Sequence, residues 1–285
     1  MYINERIKTY YNELSTKQKK IASYLIQNEN DISFKTLKEI SQENMVTEVT
    51  VINFCKAIGL ESFSELKHQF QKQMLKKSSP TQKLFQDLTE SGIKNDFFIK
   101  TIDQQLKNHQ ATMARLTESE LERAVELITG ANKIYIFCEG LSRIIGTYLK
   151  KKLDNLGIDV ELVDLTHIDT RFFIKSLKFT EKDLYVCITY PIYSGMVVKL
   201  SEYYHMKGYP VIGITDKDTS PLKKYSDITF FSDNDSLVFY NSIHASISIV
   251  EVISNIIYRK LQEKLKTIKM NIEELENEFE DYMKK

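Results

Sequence analysis

The sequence predicts an N-terminal all-α domain with a helix-turn-helix, followed by a three-layer α/β domain with a five-stranded parallel sheet. Residues 1–79 show helical periodicity throughout, whereas short apolar runs alternate with helical segments in the second half of the chain. Apolar strands that alternate with helices are typical of a parallel sheet covered on both faces. The 285 residues include only 9 glycines and 4 prolines, which indicates few turns and excludes a many-turned all-β chain.

Composition also places the domain boundaries. The first proline, Pro80, stands in a charged and then small-polar stretch that is typical of a linker. We therefore expect the helix-turn-helix domain over residues 1–79 and the linker over residues 80–95. The α/β domain, with its flanking helices, is expected over residues 96–285.

Charge and cysteine content exclude several classes of protein. The chain has 39 basic and 39 acidic residues, which excludes a uniformly basic surface but not a local basic patch. Three cysteines, Cys55, Cys138 and Cys187, lie among apolar residues in unpaired spacing, so we expect reduced core thiols, no metal site and no cofactor. The N-terminus has no apolar signal segment and no run approaches about 18 apolar residues, which predicts a soluble cytoplasmic protein with no membrane partner.

The N-terminal region carries the pattern of a helix-turn-helix. One helix, with Leu37 and Ile40 on its inner face, is expected to end near Asn44. A second begins after Thr47, a good N-cap, and stops at Gly59. Its apolar residues have the spacing of one buried face: Val51, Phe54, Cys55 and Ile58. A second helix of this kind can enter the major groove of DNA.

The outward face of this second helix is predicted to contact double-stranded DNA. Its candidate contact residues are Thr47, Glu48, Thr50, Asn53 and Lys56. Hydroxyl and amide groups can bond phosphates or base edges. Residues 1–79 carry 12 basic and 9 acidic residues, which is a modest surplus for DNA binding. A small helical bundle with solvated charges would show the same pattern, so this alternative stays open from the pattern alone.

The α/β half is predicted to contain five strands with helices between them. The strands are Lys133–Cys138, Asp159–Val163, Asp183–Thr189, Pro210–Thr215 and Asp227–Phe231. The helices are Ser142–Asn155, Asp169–Leu177, Ser194–Lys207 and one long helix, Phe239–Leu265. The long helix is rich in Ile and Val and is expected to form a subunit interface. The acidic segment Asn271–Asp281 fits either a docking helix or a disordered tail.

Ligands of open parallel sheets bind beyond the carboxyl ends of the strands. After the first strand come Gly140 and Ser142, and after the third come Thr189 and Ser194. Hydroxyls and free backbone N–H groups at a helix start suit a phosphate, so these four residues are the candidate ligand site. Because Ser and Thr are also ordinary helix caps, a purely structural role stays open.

A family resemblance adds to this pattern. The stretches Val46–Gly59 and Ser62–Lys67 resemble the helix-turn-helix of the RpiR family of bacterial transcriptional regulators. Residues 131–260 resemble the sugar isomerase (SIS) domain that these regulators carry. The resemblance implies a DNA-binding regulator, not an enzyme, that senses a phosphorylated sugar and binds operator DNA as a homodimer or homotetramer.

The chain departs from the family pattern at the ligand loops and on the DNA-reading helix. The family often has Arg where this chain has Asn53. Cys138 replaces the first glycine of the family's Gly-x-Gly-x-Ser loop. An ungapped match puts Pro191 and Ile192 where the second loop has Ser and Gly; a gapped match through Gly195 would shorten the next helix. These changes remove a hydroxyl, an N–H group and bare backbone, so weak sugar-phosphate binding, another carbohydrate derivative or other ligand, and an empty site all stay open.

Two other functions remain possible at this stage. One is a sugar-phosphate isomerase with an accessory helical domain, which needs a general base near the substrate carbon. Residue type alone suggests His167, His205, His244 and Glu139, and no catalytic residue is assigned. The other is a regulator whose SIS domain only dimerises.

Overall fold

The computed structural model describes residues 2–29, 32, 35–77, 96–166, 168–237 and 241–279, and the chain divides into two compact units. The first is helical and N-terminal, and the second contains the sheet. The expected linker at residues 80–95 lies outside the described residues. None of the helices in these ranges combines the length and the apolar character that a membrane crossing requires.

The described part of the N-terminal unit contains five α-helices. They are α1 (Ile3–Tyr10), α2 (Thr16–Gln27), α3 (Leu37–Glu43), α4 (Glu48–Ala57) and α5 (Phe63–Lys77). Ser15 and Thr36 start α2 and α3 with reciprocal hydrogen bonds to the third helical residue, which is a capping box. The apolar faces of the helices meet in one core that includes Ile7, Leu25 and Phe54. The predicted helix-turn-helix is thus the pair α3 and α4.

The second unit is built on a five-stranded sheet in which every pair is parallel. Its strands are β1 (Ile134–Cys138), β2 (Val160–Leu162), β3 (Leu184–Ile188), β4 (Val211–Thr215) and β5 (Ile228–Phe231). Their order across the sheet is β2-β1-β3-β4-β5. Its helices are α6 (Phe97–Ala114), α7 (Glu118–Gly130), α8 (Ser142–Asn155), α9 (Thr170–Ser176), α10 (Gly195–Met206), α11 (His244–Lys260) and α12 (Gln262–Glu278).

Side chains of each strand alternate between two cores, as the pleat of a strand requires. In β1, Ile134, Ile136 and Cys138 enter a core that α7, α8 and α11 cover. Tyr135 and Phe137 enter the core on the opposite face, which α9 and α10 cover. The predicted three-layer architecture and the five predicted strands are therefore confirmed.

The three thiols are free and buried, one in each core of the molecule. Burial raises the pKa of the Cys55 and Cys138 thiols to about 12 and also raises that of Cys187. All three are therefore protonated at neutral pH. No group of three or more His, Cys, Asp or Glu in the described ranges is arranged to hold a metal ion.

The single long helix predicted over Phe239–Leu265 is wrong. Phe239 lies outside the described residues, α11 begins at His244, and a break at Leu261 separates α11 from α12. Four of the seven Ile and Val residues of α11 that suggested an interface are buried against the sheet: Ile249, Val250, Ile253 and Ile257. The sheet thus takes most of the apolar surface, and the reason for placing an interface on this helix disappears. The tail is helical as far as Glu278, and its described side chains are exposed.

Helix α8 lies very close to β1 at Gly146. A Cβ atom added there would lie 2.6 Å from Sγ of Cys138 and 3.1 Å from Cδ1 of Leu162. Real Cβ atoms essentially never come within 3.0 Å of another heavy atom, so the contact with Sγ would force a shift. The glycine therefore lets α8 approach the strand that leads into the first ligand loop.

We expect Gly146→Ala to lower the free energy of unfolding by about 1–3 kcal/mol, because the methyl group overpacks the contact with β1. Urea unfolding of the full chain measures the change. Gly130→Ala is the matched control, since a Cβ there meets no atom within 4 Å. Adding Cys138→Ala to Gly146→Ala should recover part of the loss. Equal effects of the two glycine substitutions would contradict this account.

Candidate functional site

The turn between α3 and α4 is closed by hydrogen bonds of its own backbone. Val46 N donates to Ser41 O at 2.9 Å and Met45 N donates to Gln42 O at 3.0 Å. This pattern ends a helix with one residue in the left-handed region, and Met45 has φ of +54°. The turn fixes where α4 begins, so it sets which side chains of α4 come first on the exposed face.

Thr47 and Thr50 perform a structural task at the start of α4. Thr47 Oγ1 accepts a hydrogen bond from Thr50 N at 3.2 Å, and the two hydroxyl oxygens lie 2.8 Å apart. Thr47 is thus the N-cap that its position predicted. The two hydroxyls are bonded to each other, so one of their two protons is engaged within the first turn of α4.

The exposed face of α4 centres on a stripe with helical spacing. Val49, Asn53 and Lys56 are exposed at positions i, i+4 and i+7, and Glu48 is exposed at one side of them. Val49 is 62% exposed although it is apolar. Val49 was not among the predicted DNA contacts. The signal was present, because Val49 falls off the buried stripe that contains Val51 and Phe54.

An arginine from α1 holds the carboxyl end of α4. Arg6 Nε donates to Ile58 O at 2.8 Å, and Arg6 Nη2 donates to Gly59 O at 2.7 Å. Carbonyls at a helix end lack partners within the helix, and a cation is favoured there. Gly59 has φ of +76°, as the predicted helix stop requires. Arg6 is a positioning residue for α4 that the sequence analysis missed.

The four candidate ligand residues meet at one edge of the sheet. Strands β1 and β3 are neighbours, with Cys138 opposite Ile188 at their carboxyl ends. The next strand along the chain lies on the other side of β1, so this is the point where the strand order reverses. Ligands of such sheets bind in the crevice at that point.

The first loop offers open backbone and an unused hydroxyl. Gly140 has φ of +55°, and a Cβ there would meet no atom within 4 Å. Ser142 is 7% exposed, and its hydroxyl makes no hydrogen bond to any described residue. Helix α8 starts after Leu141, which has no polar side chain to cap it. Ser142 is therefore the first residue of α8 and not its N-cap, in contrast to the purely structural role that its residue type allowed.

Most polar groups of the second loop, between β3 and α10, already have hydrogen-bond partners within the protein. Thr189 Oγ1 accepts from Ser194 N at 2.8 Å. Ser194 Oγ caps α10 by accepting from Val197 N at 3.1 Å, and it donates to Oε2 of Glu139. The carboxylate of Glu139 thus bridges the two loops. From residue type alone, Glu139 was only a candidate catalytic base.

The residue after Ile192 ties the second loop to the next strand. Tyr193 is buried, and its hydroxyl donates to Oδ1 of Asp216 at 2.8 Å. Burial raises the pKa of the Asp216 carboxyl, and the hydrogen bond from Tyr193 opposes this rise. Asp216 therefore adds another acidic group beyond the carboxyl ends of the strands.

The histidines within the described ranges do not form an acid–base centre. His205 lies near the end of α10, with Nδ1 3.8 Å from Oδ1 of Asp227. His244 opens α11 beside the ring of His109, at a centroid distance of 5.5 Å. His167 lies outside the described residues. Neither His205 nor His244 forms a proton-transfer pair with Glu139.

A helix-turn-helix unit joined to an α/β unit of this topology defines a class, the transcriptional regulators that carry a sugar isomerase-type domain. The family pattern of the helix-turn-helix domain, rpiR family, matches residues 1–77, and that of the SIS domain matches residues 127–255. The chain belongs to the RpiR family of transcriptional regulators.

Known relatives agree with this assignment. The chain is 25% identical over 234 residues to an uncharacterised HTH-type transcriptional regulator of Haemophilus influenzae, a match that covers 80% of this chain and 79% of that protein. It is 24% identical over 255 residues to the HTH-type transcriptional regulator HexR of Pseudomonas aeruginosa, over 88% of this chain and 87% of that protein. Such relatives are regulators, and this chain is a regulator rather than an enzyme.

Solved structures share the fold. The Vibrio vulnificus NanR protein, complexed with ManNAc-6P, aligns with a TM-score of 0.64 and 19% identity over 95% of this chain and 96% of that chain. The sugar isomerase domain of an RpiR transcription factor from Sphaerobacter thermophilus aligns with a TM-score of 0.58 and 18% identity, over 63% of this chain and 99% of that chain.

We expect Arg6→Ala to destabilise α4 by about 1.5–3 kcal/mol, the usual contribution of hydrogen bonds to a charged group. Hydrogen–deuterium exchange on the full chain should show faster exchange at the α4 amides. The matched control is Lys8→Ala, an exposed cation on the same helix. If the α4 amides of both variants exchange at the same rate as in the wild type, the carbonyl contacts of Arg6 do not hold α4.

Proposed function

We propose that this regulator reads double-stranded operator DNA through α4, binds a phosphorylated sugar between the β1 and β3 loops, and acts as a homodimer or homotetramer. Two observations carry this proposal: α4 is capped by Thr47 and held at its end by Arg6 in one unit, and in the other unit the hydroxyl of the buried residue Ser142 has no partner among the described residues. Operator DNA of a bacterium lies in the cytoplasm, so we expect the protein to act there.

For DNA reading, the central stripe of α4 supplies three kinds of contact. The amide of Asn53 can pair with an adenine edge, the methyl groups of Val49 can contact a thymine methyl, and Lys56 can neutralise a phosphate. Glu48 and the Thr47–Thr50 pair flank this stripe at the amino end of the helix. Thr47 and Thr50 then act chiefly by fixing the start of α4.

For assembly, two-fold symmetry supplies the second half-site that one helix-turn-helix cannot cover. Helix α6 carries an apolar stripe that supports this proposal. Ile99, Ile102 and Leu106 are exposed at heptad-like spacing on one face. A stripe of this kind is typical of a helix that pairs with another helix.

For the effector, the fold and the first loop support a sugar phosphate. A protein with the same fold is complexed with ManNAc-6P. The hydroxyls of Ser142 and Thr189, with the starts of α8 and α10, can donate to a phosphate. Because Ser194 is already bonded to Glu139, we expect weak binding. A SIS domain that only dimerises is the second candidate, and absence of any effect of sugar phosphates on operator binding would favour it.

We expect Asn53→Ala to weaken operator binding by about 1–3 kcal/mol and to relax discrimination at one base pair. Lys56→Ala should weaken operator and scrambled duplex alike and reduce the salt slope by about 1. Fluorescence anisotropy with both duplexes measures these effects. The control is Asn12→Ala, an exposed asparagine in the turn that follows α1. Wild-type affinity in both α4 variants would exclude this helix as the reading element.

We expect light scattering to show at least a dimer at micromolar concentration. The double change Ile102→Glu with Leu106→Glu should produce monomers, because charge in an apolar stripe opposes helix pairing. Lys107→Glu alters charge at an exposed site beside the stripe and should leave the oligomer intact. A monomeric wild type, or an intact oligomer in the double variant, would contradict the proposed assembly through α6.

A further inference from the structure

Two helices begin at the edge where β1 and β3 end. Helix α8 starts at Ser142 and α10 starts at Gly195. The N-terminal turns of helices carry free N–H groups and favour an anion. Ser142 is 7% exposed, and its hydroxyl has no partner among the described residues, which is an independent sign that this edge receives a polar ligand group.

A carboxylate of the protein already lies at this edge. Glu139 comes between β1 and α8, and its Oε2 accepts the hydrogen bond of Ser194 Oγ at the cap of α10. A phosphate bound at the same place would compete with Glu139 for the hydrogen bond that the Ser194 hydroxyl donates. It would also bring a second negative charge beside the carboxylate, which is unfavourable at short range.

We propose that the Glu139 carboxylate occupies the position of the effector's phosphate in the ligand-free protein. By competing with the phosphate, it sets the effector concentration at which the regulator responds. This inference rests on the proposed function. The site then has two states, one with the Glu139 carboxylate bonded to Ser194 and one with phosphate bonded to Ser194. The apparent association constant is the intrinsic association constant multiplied by the fraction of molecules in which the carboxylate has left Ser194.

The exchange also reaches the second loop. Ser194 N is bonded to Thr189, and Ser194 Oγ accepts from Val197 N at the first turn of α10. When a phosphate oxygen accepts the hydrogen bond of the Ser194 hydroxyl, the Glu139 carboxylate loses that hydrogen bond. The first loop can then rearrange about Gly140, where positive φ and open space place little restriction on the backbone.

Isothermal calorimetry on the full chain tests this inference, with inorganic phosphate, ManNAc-6P and unphosphorylated ManNAc as probes. Glu139→Gln keeps an oxygen that can accept from Ser194 but removes the charge. We expect it to raise the association constants for inorganic phosphate and ManNAc-6P at least about tenfold, because binding no longer opposes a fixed charge. The affinity for unphosphorylated ManNAc should not change. Glu139→Ala should show the same gain.

Two further variants separate a local exchange from general charge. Asp218→Asn removes an acidic group that follows β4 at the same edge and pairs with Lys223, and it should leave phosphate affinity within about twofold. Adding Ser142→Ala to Glu139→Gln should abolish most of the gain. Equal phosphate affinity in wild type and both Glu139 variants, no phosphate binding by any of them, or an equal gain in Asp218→Asn would overturn the inference.

The same experiment tells this inference apart from the proposed effector. If inorganic phosphate binds Glu139→Gln more tightly than wild type, while ManNAc-6P binds no better than inorganic phosphate and does not alter operator binding, the role of Glu139 holds and a sugar phosphate is not the effector. If ManNAc-6P binds the wild type tightly and Glu139→Gln changes nothing, the effector class holds and the role of Glu139 falls.

Discussion

All strands of the sheet run in one direction, and that constraint determines where the polar chemistry of the α/β unit lies. A helix that follows a parallel strand must begin at the carboxyl edge, so the N-terminal turns of α8 and α10 come to the same place. The chain satisfies α10 with the Ser194 cap but places a leucine before α8. At the start of α8, Arg143 N and Ile144 N are bonded to the carbonyls of Gly140 and Leu141, and the Ser142 hydroxyl is left without a partner among the described residues.

Side-chain packing between β1 and α8 also restricts which residues can stand near this edge. Cys138 ends β1 and points at α8, where only a glycine can stand. The thiol fills the space that a bare backbone would leave empty, and Gly146 on the helix compensates for it. A larger residue in the strand has therefore been matched by the smallest residue in the helix, and α8 keeps its close approach to the sheet.

The fold was predictable because its signals are local. Apolar runs marked all five strands, and Ser15, Thr36 and Thr47 marked three helix starts. The break at Leu261 was not predictable, because apolar residues continue across it at helical spacing. Contacts between distant segments were also out of reach. Glu139 and Ser194 meet only because β1 pairs with β3 in a particular register, and Arg6 reaches α4 only through the packing of α1.

The candidate DNA-reading face shows a similar division between local and spatial information. The buried stripe of α4 was evident, so the exposed side was known in outline. Which exposed residues lie at its centre depends on the exact start of the helix, which the Met45 turn sets. Hydroxyl groups looked like DNA contacts by their chemistry. In the folded chain their first partners are each other and the backbone of the first turn.

The three cysteines lie in three different cores, so their reactivity reports local unfolding of each core separately. Cys55 belongs to the helical core, Cys138 to one face of the sheet and Cys187 to the other. Buried and protonated thiols do not react with alkylating reagents, because the nucleophile is the exposed thiolate. Each thiol becomes reactive only when its own layer separates. Mass spectrometry of the three alkylated peptides would therefore time the opening of each layer independently, with no engineered label.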